Sequence, residues 1–263
     1  MVGMAASTDH FLIRRDGATI AVSRGGQGQP LILCPGLLTT QADLHELTEL
    51  LCLDHDVVTF DPRGHGRSSP ADRYTFDAFL GDFTAVMTQV DLPMPPVLVG
   101  HSLGADLVVH YACDHPASAA AIVLIDGANP VPEPFVTEAD LPEFRAMAED
   151  LAAANEDARD TPHQVLLSAQ EILDLNLEVD IVRSAILDRY RKIDCPISMI
   201  MSTAMAGNSV EGRAPWRNRN WRAGIERLVH DQPRISTTWL DAGHGLLVTH
   251  AREITRIISN TQR

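Results

Sequence analysis

Apolar and polar positions alternate in short runs early in the chain, over residues 11–15 and 19–23, and then give way to the unbroken apolar Leu31-Ile32-Leu33. Asp16-Gly17 separates the first two runs, and Gly25-Gly26-Gln27-Gly28 precedes the third. Glycine-bearing turns between such runs signal hairpins, and an all-apolar run suits a strand covered on both faces. The pattern predicts two edge strands leading into a central one. From there helical and strand periods take turns: helix over 41–52, strand over 57–60, helix over 75–90, strand over 97–99, helix over 104–113, strand over 121–125. Strand-helix-strand repetition needs crossover connections, so the prediction is an α/β fold, a mostly parallel central sheet with helices on both faces.

The alternation stops at Gly127. Pro130, Pro132 and Pro134 open a segment with helical spacings (Leu166, Leu167, Ile172, Leu173, Leu175; then Ile181, Val182, Ile186) and no convincing strand before Asp194. Strand periodicity resumes over 196–201 and 235–240, with helices over 216–229 and 249–259. This reads as one core domain made of 1–129 and 195–263, interrupted by a helical insertion at 130–194. The insertion holds 15 acidic and 6 basic residues, so it carries most of the chain's net charge of −14.

That charge repels phosphate backbones and anionic membrane surfaces, so neither nucleic acid nor membrane is an expected partner. The longest apolar run, 117–125, is far short of the roughly 18–20 residues of a membrane span, and Met1 to Phe11 lacks the pattern of a leader. Cys34, Cys52, Cys113 and Cys195 are scattered, without CxxC or histidine at metal-ligand spacing. Free thiols in a reducing compartment follow, so a cytoplasmic location and no metal are expected.

Chemistry concentrates in Gly100-His101-Ser102-Leu103-Gly104, which lies between an apolar strand and a helix. This is G-x-S-x-G in its required context: a nucleophile at the tip of a strained turn, with glycines two residues either side where a side chain would collide. Among the 11 histidines, His244 alone lies on a glycine-bearing loop just after a late strand, where an imidazole can take the hydroxyl proton and return it to a leaving group. His65 and His101 sit inside motifs and are read as packing or hydrogen-bonding residues. Asp126 ends an apolar run, and a charge there needs a partner such as an imidazole N–H. Arg213, Trp216, Arg217, Arg219, Trp221 and Arg222 read as a helix face paired with the acidic insertion, with substrate contact the alternative. Met199, Met201 and Met205 read as core.

With Cys34-Pro35-Gly36-Leu37 after a central strand, Phe60-Asp61-Pro62-Arg63-Gly64-His65-Gly66-Arg67-Ser68-Ser69 after the next and Asp241-Ala242-Gly243-His244-Gly245 near the end, the sequence resembles the α/β-hydrolase family. The likeness covers nearly the whole chain. It implies that 130–194 is a cap inserted after the sixth strand, that the backbone N–H groups of Leu37 and Leu103 form an oxyanion hole, and that Ser102 and His244 act with a carboxylate. The family usually takes that carboxylate from a loop after the seventh strand, where this chain offers only Glu211; a minority takes it from the sixth strand, the position of Asp126. The resemblance implies a serine esterase or lactonase acting on a small, largely apolar molecule without cofactor or metal. The alternatives are a cofactor-independent oxygenase using the His-Asp pair as base and a ligand-binding receptor of the same fold. The oligomeric state is left open.

Overall fold

Asp16 and Gly17 both take positive φ (46° and 78°), as the two central residues of a type I′ hairpin loop do. They join β1 (Asp9–Arg15) to β2 (Ala18–Gly26) in the computed structural model, which describes residues 8–260. Residues 1–7 of the stretch read for a leader lie outside the described residues. The remaining strands are β3 (Gln29–Cys34), β4 (His55–Phe60), β5 (Val97–His101), β6 (Ala121–Ile125), β7 (Ile197–Ala204) and β8 (Ser236–Gly243). They form one sheet ordered β1-β2-β4-β3-β5-β6-β7-β8, antiparallel at β1/β2 and β2/β4 and parallel elsewhere.

Two early expectations are corrected. β2 is interior to the sheet, paired with both β1 and β4, and the Gly25–Gly28 stretch is not a hairpin. β4 lies between β2 and β3, so the turn carries the chain across a strand. A Cβ on Gly26 would lie 2.1 Å from the His55 carbonyl oxygen and one on Gly28 2.3 Å from that of Asp54, so these glycines serve a close approach to the start of β4.

The helices are α1 (His45–Leu51), α2 (Phe76–Gln89), α3 (Leu103–Asp114), α4 (Leu141–Asp157), α5 (Ala169–Ser184), α6 (Leu187–Tyr190), α7 (Ala214–Asp231), α8 (Leu246–Thr249) and α9 (Ala251–Asn260). The helix expected from residue 41 begins at His45, and the closing helix is broken at His250 into α8 and α9. Side chains along β3 alternate between two cores, as the period of a strand dictates. Leu31 and Leu33 pack with α1, α8 and α9; Ile32 and Cys34 face α2, α3 and α7. All four are fully buried, and burying a leucine or isoleucine contributes about 1.5–3 kcal/mol relative to exposure.

Between β6 and β7 the chain runs through α4, α5 and α6, and one isolated antiparallel bridge, His65 with Val165, ties it to the loop after β4. Tyr190, fully buried, donates its hydroxyl to the Ala128 carbonyl (2.6 Å) at the base of this segment. No helix among the described residues is long and apolar enough to cross a membrane. Cys34 and Cys113 are buried and Cys52 and Cys195 half-buried, all as free thiols.

Candidate active site

Four carboxyl ends of parallel strands converge on one region: Leu37 follows β3, Ser102 follows β5, Asp126 follows β6 and His244 follows β8. A parallel sheet gathers loops this way because all its strands point to the same edge. Ser102 has φ 49° and ψ −121°, a conformation costly for any L-residue with a side chain. The flanking glycines permit it. A Cβ on Gly100 would lie 2.5 Å from the Gly104 carbonyl oxygen, and one on Gly104 2.3 Å from that of Cys34.

His244 Nε2 lies 2.9 Å from Ser102 Oγ, and its Nδ1 lies 2.8 Å from Asp126 Oδ2. With Nδ1–H donating to the carboxylate, Nε2 presents a lone pair to the hydroxyl. Asp126 is fully buried and has φ 46°, while the His244 side chain is 39% exposed. Ser202 on β7 donates to the same carboxylate from its hydroxyl (2.6 Å) and its backbone N–H (3.2 Å). Burial pushes the Asp126 carboxyl up, but the bonds from His244 and Ser202 outweigh this and hold it below the ordinary range. Glu211 is exposed, on the loop after β7, with its backbone N–H bonded to Ser209 Oγ, and it is not brought to His244.

The N–H groups of Leu37 and Leu103 have no hydrogen-bond acceptor among the described residues. Leu103 opens α3, so its N–H stands at the positive end of that helix. A Cβ on Gly36 would come within 3.0 Å of Ser102 Cβ, so the Leu37 loop lies directly against the serine. His101 is buried beside both: its Nε2–H donates to the His244 carbonyl (3.1 Å), and burial pushes its pKa down to about 3.

Trp221 was not singled out by itself in the sequence, yet its indole N–H donates to Asp126 Oδ1 (3.0 Å) from α7. The ring is 2% exposed. Trp221→Phe leaves a buried carboxylate one donor short, at a cost of about 1–3 kcal/mol. The melting temperature is expected to fall by roughly 2–10 °C, read by thermal denaturation; an unchanged transition would show that the N–H contributes nothing to holding Asp126.

A cavity of about 370 Å³ opens over the serine, lined by Leu37, Phe135, Val136, Phe144 and Met147 among others. Met205 also lines it, contrary to its reading as core, whereas Met199 and Met201 are buried in the core. The arginines at its wall, Arg183 and Arg217, are paired, as is Arg213 beside them. Arg217 binds Glu143 (2.6 Å) and Asp140 (3.1 Å), and Arg213 binds Asp140 (3.0 Å), which joins α7 to the acidic segment before and within α4. Arg183 reaches from α5 to the fully buried Asp106 (2.7 Å) and lies over the Trp221 ring. Among the described residues no cluster of histidine, cysteine and carboxylate groups is arranged to hold a metal ion.

Comparison with known proteins bears on the same elements. Non-heme chloroperoxidase CPO-A1 of Kitasatospora aureofaciens is 34% identical over 103 residues, 38% of this chain and 37% of that one. The sn-1-specific diacylglycerol lipase ABHD11 of Danio rerio is 28% identical over 103 residues, 38% and 32% of the two chains. The chain thus spans about a third of the length of these curated relatives. Among solved structures, an esterase from Exiguobacterium antarcticum matches with a TM-score of 0.73 at 18% identity over 96% of this chain and 99% of its own. E-2-(acetamidomethylene)succinate hydrolase matches with a TM-score of 0.70 at 18% identity over 97% and 99%. At such identities the likeness is one of fold. A family model described as alpha/beta hydrolase fold matches residues 29–173, more than half of the sequence and the part that carries Leu37, Ser102 and Asp126, and the chain belongs to that family.

Proposed function

We propose that this protein is a serine hydrolase that cleaves a carboxylic ester or lactone of a small, largely apolar molecule, with 130–194 as the cap over its pocket. The observation that carries this reading is the unbroken hydrogen-bonded series Asp126, His244, Ser102 opening on an apolar cavity. Ser102 Oγ attacks the carbonyl carbon while His244 Nε2 takes its proton. Asp126 holds the Nδ1–H and balances the imidazolium. The carbonyl oxygen, now negative, is met by the N–H groups of Leu37 and Leu103. Collapse expels the alcohol, which leaves with the proton from His244, and water releases the acyl group by the same steps in reverse roles. A diacylglycerol lipase among the relatives and an esterase among the structural neighbours are in keeping with ester chemistry.

Charge at the pocket narrows the substrate. Arg183 and Arg217 are neutralised by Asp106, Asp140 and Glu143, and Asp180 lines the cavity with its carboxylate spent on the Phe135 and Val136 N–H groups. Neutral esters are the expected substrates, and an equal-sized ester bearing a carboxylate is expected to show about tenfold lower kcat/KM at low salt, about 1.4 kcal/mol. A panel of p-nitrophenyl esters and lactones of graded chain length, with and without a carboxylate, tests both statements. Oxygen uptake on a hydroxy-quinolone without ester turnover favours the oxygenase, and tight ligand binding without turnover the receptor; either result overturns the hydrolase.

A further inference from the structure

His65 has no part in the mechanism above, yet it joins the cap to the oxyanion loop. Its imidazole is fully buried, edge-on to the Phe79 ring. Nδ1–H donates to the Arg63 carbonyl (2.8 Å), which leaves Nε2 as an acceptor, and that nitrogen receives the Leu38 N–H (3.1 Å). Burial pushes the ring's pKa down to about 4, so it is neutral near pH 7 and keeps this tautomer.

The bond it accepts matters because of the turn it grips. Thr39 N–H bonds back to the Gly36 carbonyl (3.3 Å), and of the two central residues Leu38 alone has positive φ, at 62°. That is a type II turn, whose third position suits glycine and strains a leucine. Flipping the central peptide would relieve Leu38, but would turn its N–H away from His65. The imidazole therefore holds a turn that its own sequence disfavours, and Leu37, the other central residue, supplies an oxyanion donor.

The backbone on either side of His65 is gripped in turn by the connection between α4 and α5. Gly66 N–H donates to the Gln164 carbonyl (2.8 Å), Leu166 N–H to the Gly64 carbonyl (2.8 Å), and the Gln164 side chain to the Gly66 carbonyl (2.7 Å). One residue earlier, His163 Nδ1 donates to Asp43 Oδ1 (2.6 Å), while Asp43 Oδ2 accepts from the Thr40 N–H and hydroxyl, both 2.8 Å. The cap connection thus reaches the oxyanion loop at two points, Leu38 through His65 and Thr40 through Asp43.

We propose that His65 is a positioning residue for the oxyanion hole, and that through His65 and Asp43 the seating of the cap sets the competence of the Leu37 loop. The proposal rests on the hydrolase reading for its kinetic consequence, though not for its structural one. His65→Leu keeps the bulk and removes the acceptor; His65→Gln keeps an acceptor near the place of Nε2.

For the wild type, a trifluoromethyl ketone serves as a probe: Ser102 Oγ adds to its carbonyl carbon, the serine proton passes to His244, and the oxygen becomes an oxyanion in the hole. His65→Leu is expected to lower kcat by about 10², the scale of losing one oxyanion donor, with KM little changed and ketone affinity reduced by the same factor. His65→Gln is expected to stay within about fivefold of wild type. Ketone affinity unchanged in His65→Leu, or equal losses in both variants, overturns the proposal. Amide hydrogen exchange at Leu38 needs no substrate: it should rise in His65→Leu and be held in His65→Gln, and unchanged exchange overturns the clasp even if wild type hydrolyses no ester. Should His65→Leu fail to fold, His163→Ala, at an exposed site, is expected to lower kcat and ketone affinity together by about threefold and to raise exchange at Thr40; no change in any of the three is equally fatal.

Discussion

Ser102→Ala is expected to lower kcat for ester hydrolysis by a factor on the order of 10⁴ or more and to abolish labelling by a fluorophosphonate probe. The loss is large because no other group stands where the carbonyl carbon must be attacked: Ser102 Oγ is 2.9 Å from His244 Nε2, beside the Leu37 loop. Stability should hardly move. The backbone bond from Ser102 N–H to the Ile125 carbonyl (2.9 Å) is untouched, alanine tolerates the positive φ no worse than serine, and water can reach the half-buried His244 ring in place of the hydroxyl. Steady-state kinetics, probe labelling and a melting curve on the same preparation check all three points. Undiminished hydrolysis by the variant would remove Ser102 from the mechanism.

Asp126→Asn should cut kcat by about 10³–10⁴ with little change in KM. The amide keeps the shape of the carboxylate but turns one acceptor into a donor. Two of the four bonds to Asp126 still suit the remaining oxygen, those from Trp221 Nε1 and Ser202 N–H at Oδ1. The nitrogen then faces His244 Nδ1, which must become an acceptor, and the ring proton moves to Nε2, where it points at Ser102 and blocks proton uptake. Glu211→Gln should change kcat by less than about twofold, because Glu211 is exposed and apart from the imidazole. The opposite ranking of the two variants, read from kcat and KM at saturating substrate, would move the acid to the loop after β7.

Strand and helix periods carried the sheet, because β3, β5 and β6 are buried on both faces and read as continuous apolar runs. What failed was strand adjacency near Gly25–Gly28. A glycine turn between two apolar runs says that the chain bends; it does not say that β4, residues 55–60, will come to lie between them. The residues of the candidate site were legible where a backbone constraint leaves a mark: glycines around Ser102, a glycine-bearing loop at His244, a charge ending β6. Ser202 was not, because the register that pairs Ile125 with Ile200 and carries the next positions of β7 past Asp126 is seen only in the folded sheet. Trp221 and the link from Leu38 to His65 had no such mark. Each is a contact between elements whose sequence separation conveys nothing about their distance, and a tryptophan on an arginine-rich helix reads the same whether its N–H meets water or a carboxylate.

The order in which these groups occur along the chain has a consequence for biosynthesis. Ser102 and Asp126 lie 24 positions apart at the ends of adjacent strands, but the imidazole that joins them comes 118 residues after Asp126, beyond α4, α5, α6 and two further strands. A nascent chain emerging from the ribosome therefore carries Ser102 before residue 244 has been added, with no His244 to take its proton. Under the proposed mechanism its hydroxyl gains its base only when β8 has docked on β7 and delivered residue 244. Emergence of reactivity at Ser102 then reports that the far edge of the sheet has closed, so a mechanism-based label scores completed molecules and passes over truncated or half-folded ones.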